Sequence, residues 1–297
     1  MALARKRKSD EKDDPMLGKR EPEFHFERVG NQVLRTAIWR GSDPHARALL
    51  FFNGIGANIE LMAPLAEAIR DRDIITFDMP GVGKSPDPVV PYRPWWVAYA
   101  ARRILKRHGH SECDVIGVSW GGGAAQQFAF QYRNVAKKLI LAATTSGMTM
   151  VPGNVDVLSK MASPKRYVSR DYLMQNFQKL YGDADSVIKD HAINIIAPSM
   201  RGYFYQLMAM IGWTSPKRPI DSPSQPTLIL AGDRDKIVPL INAKVLKRFI
   251  RKSHLHVVPG GGHLFIVSRI NEIMPVIKDF LGGPDDAAPA LSAYQPA

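Results

Sequence analysis

One pentapeptide in this sequence has the residue types and spacing for covalent chemistry: Gly117-Val118-Ser119-Trp120-Gly121. It falls where a buried apolar run, Val115–Val118, gives way to a helical pattern over Trp120–Tyr132. Gly-x-Ser-x-Gly between a strand and a helix is the mark of a nucleophile elbow. The turn is tight enough that the residues on either side of the serine must be small, and the serine is held exposed at its tip. The plain structural alternative is a glycine-rich turn with an inert serine. A serine hydroxyl is a poor nucleophile until a base takes its proton. The reading therefore requires a histidine, and a carboxylate to orient it.

Both partners follow in the chain order expected of this arrangement, serine then acid then histidine. Ala231-Gly232-Asp233-Arg234-Asp235 comes after the apolar run Thr227–Leu230, and Gly260-Gly261-Gly262-His263 comes after Leu255–Val258. Both are loops after strands, at the carboxyl edge where α/β sheets carry their sites. His263 is the expected base. Asp233 and Asp235 are both available as the acid. Asp235, three residues beyond Gly232 and four before Pro239, is the preferred one, with Asp233 expected to bond within its own loop. Among the other histidines, His254 and His256 share one side of a strand without an evident third metal ligand. His108 and His110 flank Gly109 at a helix end and read as caps.

Acyl transfer also needs donors for a developing oxyanion. The backbone N–H after the nucleophile, that of Trp120, is one. The second is assigned to Ile55 in the loop Asn53-Gly54-Ile55-Gly56-Ala57-Asn58, where two glycines free the backbone to point at a substrate oxygen. This chemistry requires no metal and no cofactor. Gly81-Val82-Gly83-Lys84-Ser85 ends like a phosphate-binding loop, but its first glycine position is Asp78. Gly54-x-Gly56 opens like a dinucleotide fingerprint, but Ile59 occupies the third small position. The first of these reads instead as a turn shaping the top edge of a sheet.

The elements that must hold these loops alternate along the chain. Phe24–Val29 and Val33–Trp39 read as an antiparallel pair. Strands are expected at Ala48–Phe52, Ile74–Phe77, Val115–Val118, Leu139–Ala143, Thr227–Leu230 and Leu255–Val258. Helices are expected near Glu60–Arg70, Trp95–Arg107, Trp120–Tyr132, Leu240–Arg251 and Leu264–Leu281. Unbroken apolar strands alternating with helices imply a mainly parallel sheet covered on both faces, an α/β fold. The core is expected over 23–147 and 223–282. Residues 148–222 break the rhythm and hold 7 of the 12 methionines with many aromatics. They read as an inserted helical cap, with Tyr203, Met208 and Trp213 as candidate substrate contacts. The plain alternative is that such residues form the cap's own core.

Composition excludes several other classes. A 45% hydrophobic, 23% charged chain is ordinary globular material, and no apolar run approaches the about 18 residues of a membrane span. A single cysteine, Cys113, forbids an internal disulfide and fits a reducing cytoplasm. The net charge of +12 is spread out, without a basic run interleaved with aromatics, so no nucleic-acid partner is expected. Residues 1–22, where a basic block is followed at once by acidic residues, read as a disordered charged arm. Residues 283–297 read as a flexible tail.

These motifs together resemble the α/β-hydrolase superfamily. A narrower likeness rests on Phe51-Phe52-Asn53-Gly54-Ile55-Gly56-Ala57-Asn58, Val115-Ile116-Gly117-Val118-Ser119-Trp120-Gly121-Gly122, Lys138-Leu139-Ile140-Leu141-Ala142-Ala143-Thr144 and Met150-Val151-Pro152-Gly153. It continues through Met161-Ala162-Ser163-Pro164-Lys165-Arg166-Tyr167-Val168, Gly212-Trp213-Thr214-Ser215 and Val238-Pro239-Leu240-Ile241-Asn242. On these stretches the chain is similar to the intracellular poly(3-hydroxyalkanoate) depolymerases that act on medium-chain-length polyesters. The resemblance implies a serine hydrolase at the surface of polyester granules in the cytoplasm, with Ser119, Asp235 and His263 as its triad. The related polymer synthases carry cysteine at the elbow, so Ser119 favours hydrolysis. The charged arm and the third glycine, Gly123, depart from the pattern.

Overall fold

The computed structural model describes residues 20–163, 165, 169–181, 196–215 and 223–285. The expected arm over 1–22 and tail over 283–297 lie outside these residues except at 20–22 and 283–285.

The chain opens with β1 (Glu23–Val29) and β2 (Gln32–Trp39), joined by the two-residue turn Gly30-Asn31. Gly30 has φ of +59°, the left-handed backbone that such hairpin turns need and that glycine takes without strain. Then come β3 (Ala48–Phe52), a 3₁₀ turn at Ile59–Met62, α1 (Ala63–Ala68), β4 (Ile74–Phe77), α2 (Pro94–Arg107) and β5 (Cys113–Val118). They are followed by α3 (Trp120–Gln131) and β6 (Ala136–Ala142). Helices α4 (Val155–Ala162), α5 (Arg170–Tyr181) and α6 (Met200–Met210) lie between β6 and β7 (Thr227–Gly232). The chain closes with α7 (Leu240–Phe249), β8 (Ser253–Val258), α8 (Phe265–Ser268) and α9 (Ile270–Gly282).

The eight strands form one sheet in the order β1-β2-β4-β3-β5-β6-β7-β8. β1 and β2 are antiparallel to their neighbours, and every pair from β4 to β8 is parallel. Side chains alternate across the sheet, so each strand feeds two cores. Leu50, Phe52, Val115, Leu139, Leu141 and Ile229 pack with α2, α3 and α7 on one face. Leu49, Phe51, Ile116, Ile140, Leu228 and Leu230 pack with α1, α8 and α9 on the other. Burial on both faces is why these strands read as continuous apolar runs.

Beyond shifts of one to three residues at several element ends, two expected helices differ in detail. The helix expected over Leu264–Leu281 is two helices, broken at Arg269, whose φ of −117° and ψ of 33° leave the helical region. The apolar periodicity runs on through both, so the pattern alone does not register the break. The helix expected near Glu60–Arg70 ends at Ala68, because Ile69 turns extended.

Gly81-Val82-Gly83-Lys84-Ser85 forms a turn as expected, wrapped around Asp78 at the end of β4. The Lys84 N–H donates to Asp78 Oδ2 at 3.0 Å, and the Ser85 hydroxyl donates to the Asp78 carbonyl at 2.8 Å. Asp78 Oδ1 also accepts from the Ile59 N–H at 2.8 Å, so one buried carboxylate ties two loops at the sheet's upper edge.

Candidate active site

The elbow owes its shape to close packing. A Cβ on Gly117 would lie 2.4 Å from the Gly121 carbonyl oxygen, and one on Gly121 would lie 2.1 Å from the Phe52 oxygen. Neither contact is possible for a real side chain, so both positions require glycine. Between them Ser119 has φ of 54° and ψ of −120°, a costly conformation for a residue with a side chain. The strain is held by hydrogen bonds on both sides of the residue. The Ser119 N–H donates to the Ala142 carbonyl at 2.9 Å, and the Thr144 hydroxyl donates to the Ser119 carbonyl at 2.7 Å.

Ser119 Oγ lies 3.1 Å from His263 Nε2, and His263 Nδ1 lies 2.7 Å from Asp235 Oδ2. His263 and Asp235 are 5% and 6% exposed, so this chain of contacts is largely shielded from water. Asp235 Oδ1 is occupied by the N–H groups of Ile237 at 2.8 Å and Val238 at 2.9 Å. Three groups thus fix the carboxylate, with Oδ2 aimed at the imidazole. An ionised carboxylate only accepts, so Nδ1 carries the hydrogen and the Nε2 lone pair faces the serine hydroxyl. That is the tautomer that can take a proton from Ser119.

Asp233 does something else. It is exposed, and its Oδ1 accepts from the Gly260 N–H at 2.7 Å. The bond crosses to the histidine loop, where a bond within its own loop was expected. Gly232 and Gly261 reinforce the junction, since a Cβ on Gly232 would lie 2.2 Å from the Gly261 oxygen.

The Asn53–Asn58 loop runs beside the nucleophile. A Cβ on Gly54 would meet the Ser119 Cβ at 3.7 Å. Trp120 heads α3, so its N–H has no carbonyl within the helix to bond and points outward with the helix dipole. The assigned donors, Ile55 and Trp120, thus belong to the two segments flanking Ser119.

The three expected substrate contacts are placed differently. The Tyr203 hydroxyl donates to the Met161 carbonyl at 3.0 Å, joining α6 to α4. The Trp213 indole donates to Gln127 Oε1 at 3.0 Å, joining the end of α6 to α3. Met208 is 41% exposed, and its carbonyl accepts from Arg93 Nη1 at 3.2 Å. His108 and His110 pair through their rings with Glu27 and Asp73 at 2.8 and 3.3 Å. His254 and His256 line one strand, and among the described residues no group of three acidic, histidine or cysteine side chains is arranged to hold a metal.

Sequence reasoning missed several supports of this site. Asn242 brackets Val151, accepting from its N–H at 2.8 Å and donating to its carbonyl at 2.9 Å. Gly153 passes so close to the acid loop that a Cβ would lie 2.3 Å from the Lys236 oxygen. The stretches Met150-Val151-Pro152-Gly153 and Val238-Pro239-Leu240-Ile241-Asn242 therefore meet in space. Gly123, the unexpected third glycine, leaves room for Met210 and Trp213; a Cβ there would lie 2.7 Å from the Met210 methyl.

A parallel sheet with a strained serine on the strand–helix turn of β5, facing a histidine and an acid from later loops, defines an α/β hydrolase. Comparison with known proteins agrees. Residues 47–269 match the family model for the alpha/beta hydrolase fold. Over 263 residues the chain is 43% identical to a poly(3-hydroxyalkanoate) depolymerase of Ectopseudomonas oleovorans, covering 87% of this chain and 92% of the relative. It is 24% identical over 245 residues to a 2-hydroxymuconate semialdehyde hydrolase of Pseudomonas sp. (strain CF600), covering 78% and 83%. A hydrolase from Pseudomonas aeruginosa PA01 has the same fold, with a TM-score of 0.73 at 18% identity over 88% of this chain and 98% of that one. The chain belongs to the α/β-hydrolase family and, within it, to the poly(3-hydroxyalkanoate) depolymerases.

Proposed function

We propose that this enzyme hydrolyses the ester bonds of an intracellular medium-chain-length polyhydroxyalkanoate, releasing 3-hydroxyalkanoic acids or oligomers, through a Ser119–His263–Asp235 acyl-enzyme mechanism. The observation that carries the chemistry is the hydrogen-bonded run from Asp235 through His263 to Ser119, at 2.7 and 3.1 Å. The likeness to the depolymerase of Ectopseudomonas oleovorans supports the substrate class.

In the first step Ser119 Oγ attacks the ester carbonyl as His263 Nε2 takes its proton. The Trp120 and Ile55 N–H groups hold the oxyanion. Asp235 stabilises the imidazolium and keeps the ring in register. His263 then protonates the departing alkoxide, which is the hydroxyl end of the next polymer unit. In the second step His263 activates water, which attacks the acyl-enzyme and frees the acid. His263 hands the water's proton to Ser119 Oγ as the acyl bond breaks, so the serine's original proton leaves on the alcohol and one from water replaces it.

On this reading the insertion expected over 148–222, of which 164, 166–168, 182–195 and 216–222 lie outside the described residues, serves as a cap, and the exposed side of its helix α6 suits an insoluble, uncharged polyester. Met200, Phe204, Leu207, Met208 and Ile211 are 67, 56, 42, 41 and 59% exposed. They recur at helical spacing along one side, opposite the buried Gly202, Tyr203, Gln206 and Ala209. An apolar stripe left facing water marks a contact surface. On this reading Met208 touches polymer directly, while Tyr203 and Trp213 shape its path by holding α6 in place. The reading sets the enzyme in the cytoplasm at the granule surface.

Acid-quenched turnover of a p-nitrophenyl ester, followed by peptide mapping, tests the mechanism. The acyl mass is expected on the peptide containing Ser119. Steady turnover with Ser119 never labelled, even under single-turnover conditions, contradicts it.

A further inference from the structure

Gln206 is fully buried on α6, distant in sequence from every motif of the site, yet it touches both segments that carry the assigned oxyanion donors. Its side-chain Oε1 accepts from the Gly56 N–H at 2.9 Å. Its backbone carbonyl accepts from the Trp120 indole N–H at 2.8 Å. The first bond fixes the peptide directly after Ile55. The second fixes the side chain of the residue whose own N–H is the other donor. Gly56 has φ of +66°, left-handed backbone that glycine takes without strain, and the Gln206 bond pins it from outside the loop.

The orientation of the amide follows from chemistry. A backbone N–H can only donate, so the atom facing Gly56 is the oxygen. The Gln206 Nε2 then has no hydrogen-bond partner among the described residues. A buried, unpaired amide nitrogen destabilises a fold, and an aliphatic side chain of the same length would avoid it. The gain from keeping an amide here is the acceptor it offers to Gly56.

We propose that Gln206 is the positioning residue of the oxyanion hole: by clamping Gly56 and the Trp120 indole, it makes the geometry of the hole depend on α6 being seated. The inference rests on the proposed roles of Ile55 and Trp120. Gln206 touches no reacting atom. It acts by holding two donors at the separation the tetrahedral intermediate needs, before substrate arrives. Preorganised donors are effective because they need not move as charge develops. A consequence is that movement of α6 switches catalysis as well as access.

The test is Gln206→Met, which keeps length and packing but lacks the acceptor, with Trp120→Phe as a second variant that keeps the backbone N–H but lacks the indole donor. Each is assayed with p-nitrophenyl butyrate, and each is titrated with an alkyl trifluoromethyl ketone, whose tetrahedral serine adduct occupies the hole. Cooperative thermal melting confirms folding. For Gln206→Met, kcat is expected to fall about 10- to 100-fold with KM within about twofold, and ketone affinity to fall in step. Trp120→Phe is expected to show the same split at smaller size. The double variant should lose less than the product of the two, since both loosen one clamp.

A kcat within twofold of wild type for Gln206→Met overturns the proposal. So does a loss confined to KM with ketone affinity unchanged. Should Gln206→Met fail to fold, Trp120→Phe decides alone, and unchanged kcat and ketone affinity there count against the clamp. A Ser119→Ala control separates the two levels. Turnover that needs Ser119 but not Gln206 removes this inference alone, whereas turnover without Ser119 removes the reading beneath it.

Discussion

Asp233 Oδ1 accepts a 2.7 Å hydrogen bond from the Gly260 N–H, so this exposed aspartate anchors the loop whose last residue is His263. Two residues on, the buried Asp235 meets the imidazole itself. One loop thus supplies two carboxylates with separate tasks, one holding the backbone and the other the ring. Asp235→Asn is expected to lower kcat on the order of 10⁴-fold, because the amide favours the wrong tautomer. Asp233→Ala is expected to cost about 1 kcal/mol of stability, the scale of one net hydrogen bond, and to lower kcat by less than about tenfold. Steady-state kinetics on a p-nitrophenyl ester with urea denaturation of each variant check both. The opposite ranking would reassign the acid.

The glycines of the elbow are expected to differ in tolerance. A Cβ at Gly121 runs into backbone oxygens of Phe52 and Asn53 at 2.1 and 2.4 Å, which have nowhere to go. A Cβ at Gly123 meets the far end of the Met210 side chain, which can turn aside. Gly121→Ala is therefore expected to give little folded, active protein. Gly123→Ala should fold and shift stability by no more than about 1 kcal/mol. Soluble yield and thermal melting report the difference, and a stable Gly121→Ala enzyme would contradict the packing described.

Asp78 gives the enzyme a pH signature. Burial pushes its carboxyl up to about 6, against the pull of the Lys84 and Ile59 N–H groups and of Arg35 at 3.3 Å. In the unfolded chain an aspartate titrates at about 3.9. Between those values the native state holds a proton that the unfolded state releases. The contribution to stability is thus complete below about pH 4 and is lost as pH rises through about 6, amounting to about 3 kcal/mol. Asp78→Asn removes the proton-dependent part. Urea denaturation of both proteins from pH 4 to 7 should show wild type losing stability relative to Asp78→Asn as pH rises. A difference that stays flat would contradict the shift.

The exposed stripe on α6 makes a prediction about substrate scale. Replacing Phe204, Leu207 and Ile211 together by serine removes apolar area that polymer would cover. Each fully buried apolar side chain contributes about 1.5–3 kcal/mol, and about 1.4 kcal/mol is tenfold in binding. The ratio of polymer hydrolysis to small-ester hydrolysis is expected to fall at least about tenfold. An unchanged ratio would place the polymer elsewhere on the surface.

Much of this architecture was legible in the chain. The sheet's strands are long apolar runs because both faces are buried, and the loops at Ser119, Asp235 and His263 announce themselves by glycines that close packing demands. Choosing between Asp233 and Asp235 was harder, because both sit in one loop and differ only in burial, which local spacing does not encode. Gln206 gave no signal, and Thr144 and Asn242 stood only as the ends of stretches shared with the depolymerases, with nothing to mark what they bond. Their partners are 150, 25 and 91 residues away, and a single polar residue looks the same in the sequence whether it faces water or a distant loop. The break at Arg269 was hidden for the converse reason, since apolar spacing stays in phase across it.

On the proposed mechanism Ser119 turns over polymer. The direct measurement is titration of acid released from an amorphous suspension of medium-chain-length polyhydroxyalkanoate, with Ser119→Ala alongside and a short p-nitrophenyl ester in parallel. Acid release from the polymer that is lost in Ser119→Ala is the predicted result. Turnover of the small ester with no acid from the polymer would contradict it and leave a soluble carboxylesterase.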